Sequence, residues 1–187
     1  MRVALLDHAH PTPPVRELAV ALAAAGCEPA IVTVRRGLTR RTDDGGVPLV
    51  AVGRLPEAPL RLRGFERPLT HLPLSLAELV RGGYDAVHAF RPADAAAALA
   101  WRRVTGGPVV FSPAEPPGRD TVSNRRLRLR LLAAAVERSD AVTAPDEAVR
   151  AATLRWLAVE APVLDAAGHV LLYDELVSRR PRGRPAP

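Results

Sequence analysis

Three short apolar runs in this chain each end in side chains able to do chemistry. Residues 86–90 carry His88 and Phe90, with Arg91 next and Pro92 opening a helix. Residues 3–6 lead into Asp7, His8, His10 and Thr12, and residues 108–112 end in Ser112, with Glu115 just beyond. A histidine titrates near neutrality and can move a proton or contact a ligand. Glu115 could hold a hydroxyl or serve as a base. His8 and His10, two apart with Asp7 beside them, could begin a metal site, but ligands at that spacing need a third partner nearby. Each group also has a plainer reading: His88 as a packed strand histidine, Glu115 as a loop-surface carboxylate, and the His8/His10 pair as polar residues of a strand-end loop.

These positions share one requirement, a sheet whose strands all end on the same edge. Strands are expected at residues 3–6, 29–34, 47–52, 86–90, 108–112, 141–144 and 161–164, and helices at 13–25, 74–81, 93–104, 121–138, 147–157 and 166–179. Residues 35–46 read as a loop, 53–73 as a long surface excursion and 180–187 as a disordered basic tail. Thr12 and Asp146 sit where helix N-caps belong. Alternation of strand and helix predicts an α/β fold, a single Rossmann-like, doubly wound, mostly parallel sheet with helices on both faces. Ligands gather at the carboxyl ends of such strands, which puts His88, Phe90 and Arg91 on the functional edge. Tyr84-Asp85-Ala86-Val87 and Ser139-Asp140-Ala141-Val142 repeat one design, a polar residue and an Asp ahead of a strand, and predict neighbouring parallel strands.

At 187 residues one domain is expected. All 26 basic residues are Arg, a mark of GC-rich coding, so the high isoelectric point argues little for nucleic acid when the net charge is only +6. The lone Cys27 allows no internal disulfide and no cysteine metal cluster, which suits a reducing, cytoplasmic setting. Apolar runs are too short for a signal peptide or a membrane span. Arg125, Arg126, Arg128 and Arg130, interleaved with leucines, raise weak peripheral contact with the inner face of a membrane, with a solvated helix face as the simpler account. Without lysine there is no Walker P-loop, and no G-x-G-x-x-G or G-x-S-x-G run occurs.

The blocks Met1-Arg2-Val3-Ala4-Leu5-Leu6, Arg16-Glu17-Leu18-Ala19-Val20-Ala21-Leu22-Ala23-Ala24-Ala25-Gly26, Tyr84 to Phe90, and Glu137-Arg138-Ser139-Asp140-Ala141-Val142-Thr143-Ala144-Pro145, in this order, resemble the N-terminal, acceptor-type domain of family 4 retaining glycosyltransferases of the GT-B fold. The resemblance covers about residues 1–165. It implies an acceptor-side domain at 1–165, a helix at 166–179 that packs back on it, and the tail at 180–187. The family's donor-binding E-x7-E motif is absent, since no two glutamates stand eight positions apart.

Other departures fall in the acceptor half. Pro11-Thr12-Pro13-Pro14 replaces a glycine pair after the first strand and removes amide donors. Phe90 stands where the second His of a common H-A-H occurs, and Phe111-Ser112-Pro113-Ala114-Glu115 lacks a following His. The resemblance therefore implies sugar transfer in which this chain supplies acceptor contacts, with a catalytically degenerate binding or scaffold module as the alternative. The implied substrate-contact residues are His10, Thr12, His88, Phe90, Arg91, Ser112 and Glu115. No catalytic residue is assigned, and no metal and no cofactor are expected. A donor-domain protein or a second copy is the expected partner, a nucleotide sugar would bind only with that partner, and no nucleic acid is expected.

Overall fold

The computed structural model describes residues 1–8, 11–53, 70–119 and 126–179. The tail at 180–187, the start of the helix expected from 121, most of the 53–73 excursion, Arg125 and His10 lie outside the described residues. Seven strands, β1 (Arg2–Leu6), β2 (Glu28–Val34), β3 (Arg40–Asp44), β4 (Val47–Val52), β5 (Ala86–Ala89), β6 (Val109–Phe111) and β7 (Ala141–Val142), form one sheet in the order β3-β4-β2-β1-β5-β6-β7. Every pairing is parallel except β3 with β4. Among the described residues six helices accompany it: α1 (Pro13–Ala24), α2 (Leu72–Gly82), α3 (Pro92–Thr105), α4 (Arg126–Arg138), α5 (Glu147–Leu157) and α6 (Ala166–Ser178).

Side chains alternate across a strand, so each buried strand feeds two cores. Ala4, Leu6, Val87, Ala89, Val109 and Phe111 face one layer, with Leu79 of α2, Trp101 of α3 and Leu132 of α4. Val3, Leu5, Ala86, Phe90 and Val110 face the other, with Val15, Ala19 and Leu22 of α1 and Tyr173 of α6. The α1 residues recur at helical spacing, as do Val170, Tyr173 and Val177, which pack on that same layer. The sheet is thus covered on both faces, as the alternation of elements predicts.

Two expected elements change. The loop expected at 35–46 contains β3, which pairs from Arg40 with Ala51 to Asp44 with Val47 around Gly45 and Gly46. Both glycines have positive φ, 66° and 89°, the conformation a two-residue hairpin turn requires. The strand is an edge whose first four residues are exposed, so it shows no apolar period. The strand expected at 161–164 reduces to one bridge, Ala144 with Val163, because Pro162 has no amide to continue a ladder.

The repeated Asp also acquires a physical role. The Asp85 carboxylate accepts the Arg2 amide at the start of β1 (2.7 Å), and Asp140 accepts the Val109 amide at the start of β6 (2.9 Å). Each Asp caps the strand beside its own. The two repeats lead into β5 and β7, which flank β6 and are not neighbours.

Candidate functional site at the carboxyl edge of the sheet

The strand ends gather two groups of polar residues. The first surrounds His88, which β5 buries completely in the α1/α6 layer, two residues from Phe90 on the same face. Its Nδ1 lies 2.6 Å from the Tyr173 hydroxyl and its Nε2 2.7 Å from Ser112 Oγ, which in turn hydrogen-bonds Thr143 Oγ1. Phe90 stacks on the imidazole with ring centroids 4.3 Å apart. Burial, helped by the nearby His169, pushes the His88 pKa well below that of an ordinary histidine, so the ring is neutral at pH 7. One nitrogen then donates and the other accepts, and both are engaged by hydroxyls. Burial likewise raises the Tyr173 phenol, which stays protonated.

A cavity of about 270 Å³ opens over this group between α1 and α6, lined by His88, Phe90 and Ser112 together with Glu17, Asp165 and His169. Asp165 is fixed as the N-cap of α6, accepting the Gly168 amide at 2.7 Å. Burial lowers the His169 pKa against the opposing pull of the Asp165 carbonyl.

The second group centres on two buried carboxylates. Asp7, just past β1, accepts Arg91 Nε (2.9 Å) and, more weakly, the Thr12 amide and hydroxyl (3.3 and 3.4 Å). Arg91 also reaches Glu115, 78% exposed, at 3.5 Å. Its pKa is raised overall: burial works against the charge, and the hydrogen bond and charge of Asp7 outweigh it. Asp94, in the first turn of α3, accepts the His8 amide (3.0 Å), His8 Nδ1 (2.9 Å) and His71 Nε2 (3.1 Å). Burial alone would raise its pKa, but the hydrogen bonds from His71 and His8 hold it below the ordinary carboxylate value.

The residues expected to contact substrate therefore divide. His88, Phe90 and Ser112 line the α1/α6 cavity, while Arg91 and Glu115, with Phe90 again, line a smaller one of about 130 Å³. Thr12 does not cap α1 with its side chain but turns to Asp7. His10 lies outside the described residues. The sequence reading missed Tyr173, His169 and Thr143 as companions of His88, and His71 and Asp94 as companions of His8. Asp7 was visible only as a neighbour of His8. A larger cavity, about 350 Å³, lies at the opposite edge of the sheet around Arg2, Glu28 and Tyr84. There Arg41 and Arg81 are already paired with Glu78, and strand carboxyl ends do not reach it.

The model of Glycosyltransferase Family 4 matches residues 15–163. The chain belongs to glycosyltransferase family 4. Among solved structures, a sucrose-phosphate synthase from Thermosynechococcus elongatus superposes with a TM-score of 0.67 at 19% identity, over 94% of this chain and 99% of that one. A second sucrose-phosphate synthase structure from that organism gives 0.62 at 18% identity, over 87% of this chain and 47% of that one. Anabaena HepE in complex with UDP-glucose gives 0.55 at 14% identity, over 83% and 40%. No curated protein matches the chain. The family 4 chain thus has the Rossmann-like architecture of GT-B glycosyltransferases and spans less than half the length of the latter two. Among the described residues no helix is long and apolar enough to cross a membrane.

Proposed function

We propose that this family 4 chain is the acceptor side of a sugar-transfer enzyme and works with a partner that supplies the nucleotide-sugar site. The observation carrying the reading is the cavity over His88, at the carboxyl edge and beneath α1 and α6. Its lining combines a flat apolar ring, Phe90, with hydroxyl, imidazole and carboxylate groups from Ser112, His169, Glu17 and Asp165. An apolar platform ringed by hydrogen-bonding groups suits a hydroxyl-rich acceptor. Donor phosphates need free backbone amides at a helix N-terminus, and Pro13 and Pro14 remove two of them from the start of α1. The donor half is therefore assigned to another domain.

The experiment supplies the chain with a family 4 donor-half protein, looks for a complex by copurification, and assays glycosyl transfer. Complex formation with transfer supports the reading, and absence of both rejects it. The isolated chain should bind no nucleotide sugar tightly. A second reading, a binding or scaffold module without catalysis, is favoured by one observation: both nitrogens of His88 are held by protein hydroxyls. A complex that binds acceptor yet transfers nothing would select it.

A further inference from the structure

The cluster of His8, His71 and Asp94 lies outside the cavity over His88 and has no part in the proposed function. Its three residues come from three elements: His8 follows β1, His71 sits at the N-cap position of α2, and Asp94 lies in the first turn of α3. His71 uses no side-chain atom to cap α2. It turns instead to Asp94, and its other nitrogen, Nδ1, is buried with no hydrogen-bond partner among the described residues. The His8 and His71 rings stack with centroids 5.0 Å apart, so both imidazoles address one carboxylate from the same side.

We propose that His8, His71 and Asp94 form a binding site for a divalent transition ion of the zinc class. Two imidazoles and one carboxylate are the donor set such ions prefer, with a fourth position left for water or a substrate oxygen. The ligand atoms all lie within 4.8 Å of one another, at 2.9 Å for His8 Nδ1 to Asp94 Oδ2 and 3.1 Å for His71 Nε2 to Asp94 Oδ1. Ligands about 2.0 Å from a tetrahedral ion stand roughly 3.3 Å apart, so the two contacts to Asp94 need little change, and an ion takes the place of the protons facing Asp94 while each neutral imidazole carries its proton on the opposite nitrogen. Asp94 has no direct ion pair with arginine among the described residues: Arg91, close in sequence, hydrogen-bonds Asp7. A fully buried carboxylate facing two imidazoles is compensated by their protons or by a cation. The His8 amide holds Asp94 Oδ2 in place, the kind of outer contact that orients a ligating carboxylate. The His8 side chain is 16% exposed, so the site opens toward solvent on that side and an ion has a way in. The absent third partner that leaves His8 and His10 unconvincing in the sequence is supplied by residues 63 and 86 positions further along.

Cobalt(II) reports the site directly, because a four-coordinate ion has intense visible bands that an octahedral aquo ion lacks. The untagged full chain, stripped with a chelator, is titrated with Co²⁺ at neutral pH. One equivalent should produce the bands, and Zn²⁺ should bleach them. His8→Gln, at the partly exposed ligand, should weaken binding at least ~10-fold while the circular dichroism stays that of the parent. Asp94→Asn should do the same. Absence of the bands overturns the proposal, as does a signal undiminished in folded His8→Gln, since the ion would then sit elsewhere.

Discussion

The hydroxyl of Tyr173 on α6 lies 2.6 Å from Nδ1 of His88 on β5, so the last helix is tied to the centre of the sheet by a bond wholly shielded from water. Tyr173 is fully buried, and its phenol is held in the protonated state. Tyr173→Phe keeps the ring and leaves one imidazole nitrogen without its partner. An unsatisfied buried polar atom costs about 1–3 kcal/mol. Urea unfolding should show that loss, and Tyr173→Ala should lose more, about 3–5 kcal/mol, because a cavity is added.

The depressed His88 and His169 predict acid sensitivity. Both have folded-state pKa values below the unfolded value near 6.5, so the unfolded chain binds more protons as pH falls. Their contribution to stability is full above about pH 6.5 and is lost as pH drops toward the folded values. The slope approaches about 1.4 kcal/mol per pH unit for each histidine. Urea midpoints measured from pH 8 down to pH 5 should fall, and His169→Gln should make the fall shallower.

Arg91→Gln should destabilise by about 3 kcal/mol, because it leaves the buried Asp7 charge without its guanidinium. Arg91→Lys should recover only part of that loss, since a point charge cannot reproduce the planar contact through Nε. Chemical denaturation of the two variants beside the parent checks the ranking.

Ala158 ends α5 at φ 54°, the one non-glycine residue with positive φ among those described. That conformation costs an L-residue about 1–2 kcal/mol. Ala158→Gly relieves it and loses part of the gain to unfolded-chain entropy. A net increase of roughly 0.5–1 kcal/mol should appear as a higher urea midpoint.

How far the sequence reaches can be judged from single elements. Strands buried on both faces, such as β1 and β2, are legible because uninterrupted apolar runs have few other uses. Edge strand β3 is not legible by period, since water lies on both sides of it, although its Gly-Gly turn was in view. Phe90 reads in sequence as a replaced histidine; in space it is the platform stacked on His88. His71 and Asp94 carry no local signal. Their meeting with His8 depends on β1 lying beside β5 with α2 and α3 on one face, a tertiary relation that no spacing encodes.

Both rims of the sheet resist extension. At one end Arg40, Arg41, Asp43 and Asp44 place charge along β3, and at the other β7 has two residues, beyond which Ala144 makes a single bridge to Val163, next to Pro162. Neither offers an incoming strand a long, flat row of amides and carbonyls. Assembly by β-augmentation is thereby disfavoured, and self-association into ribbons with it. A second protein joining this one would have to recognise side chains and loops, which makes its choice of companion a matter of shape and charge rather than of shared backbone hydrogen bonding.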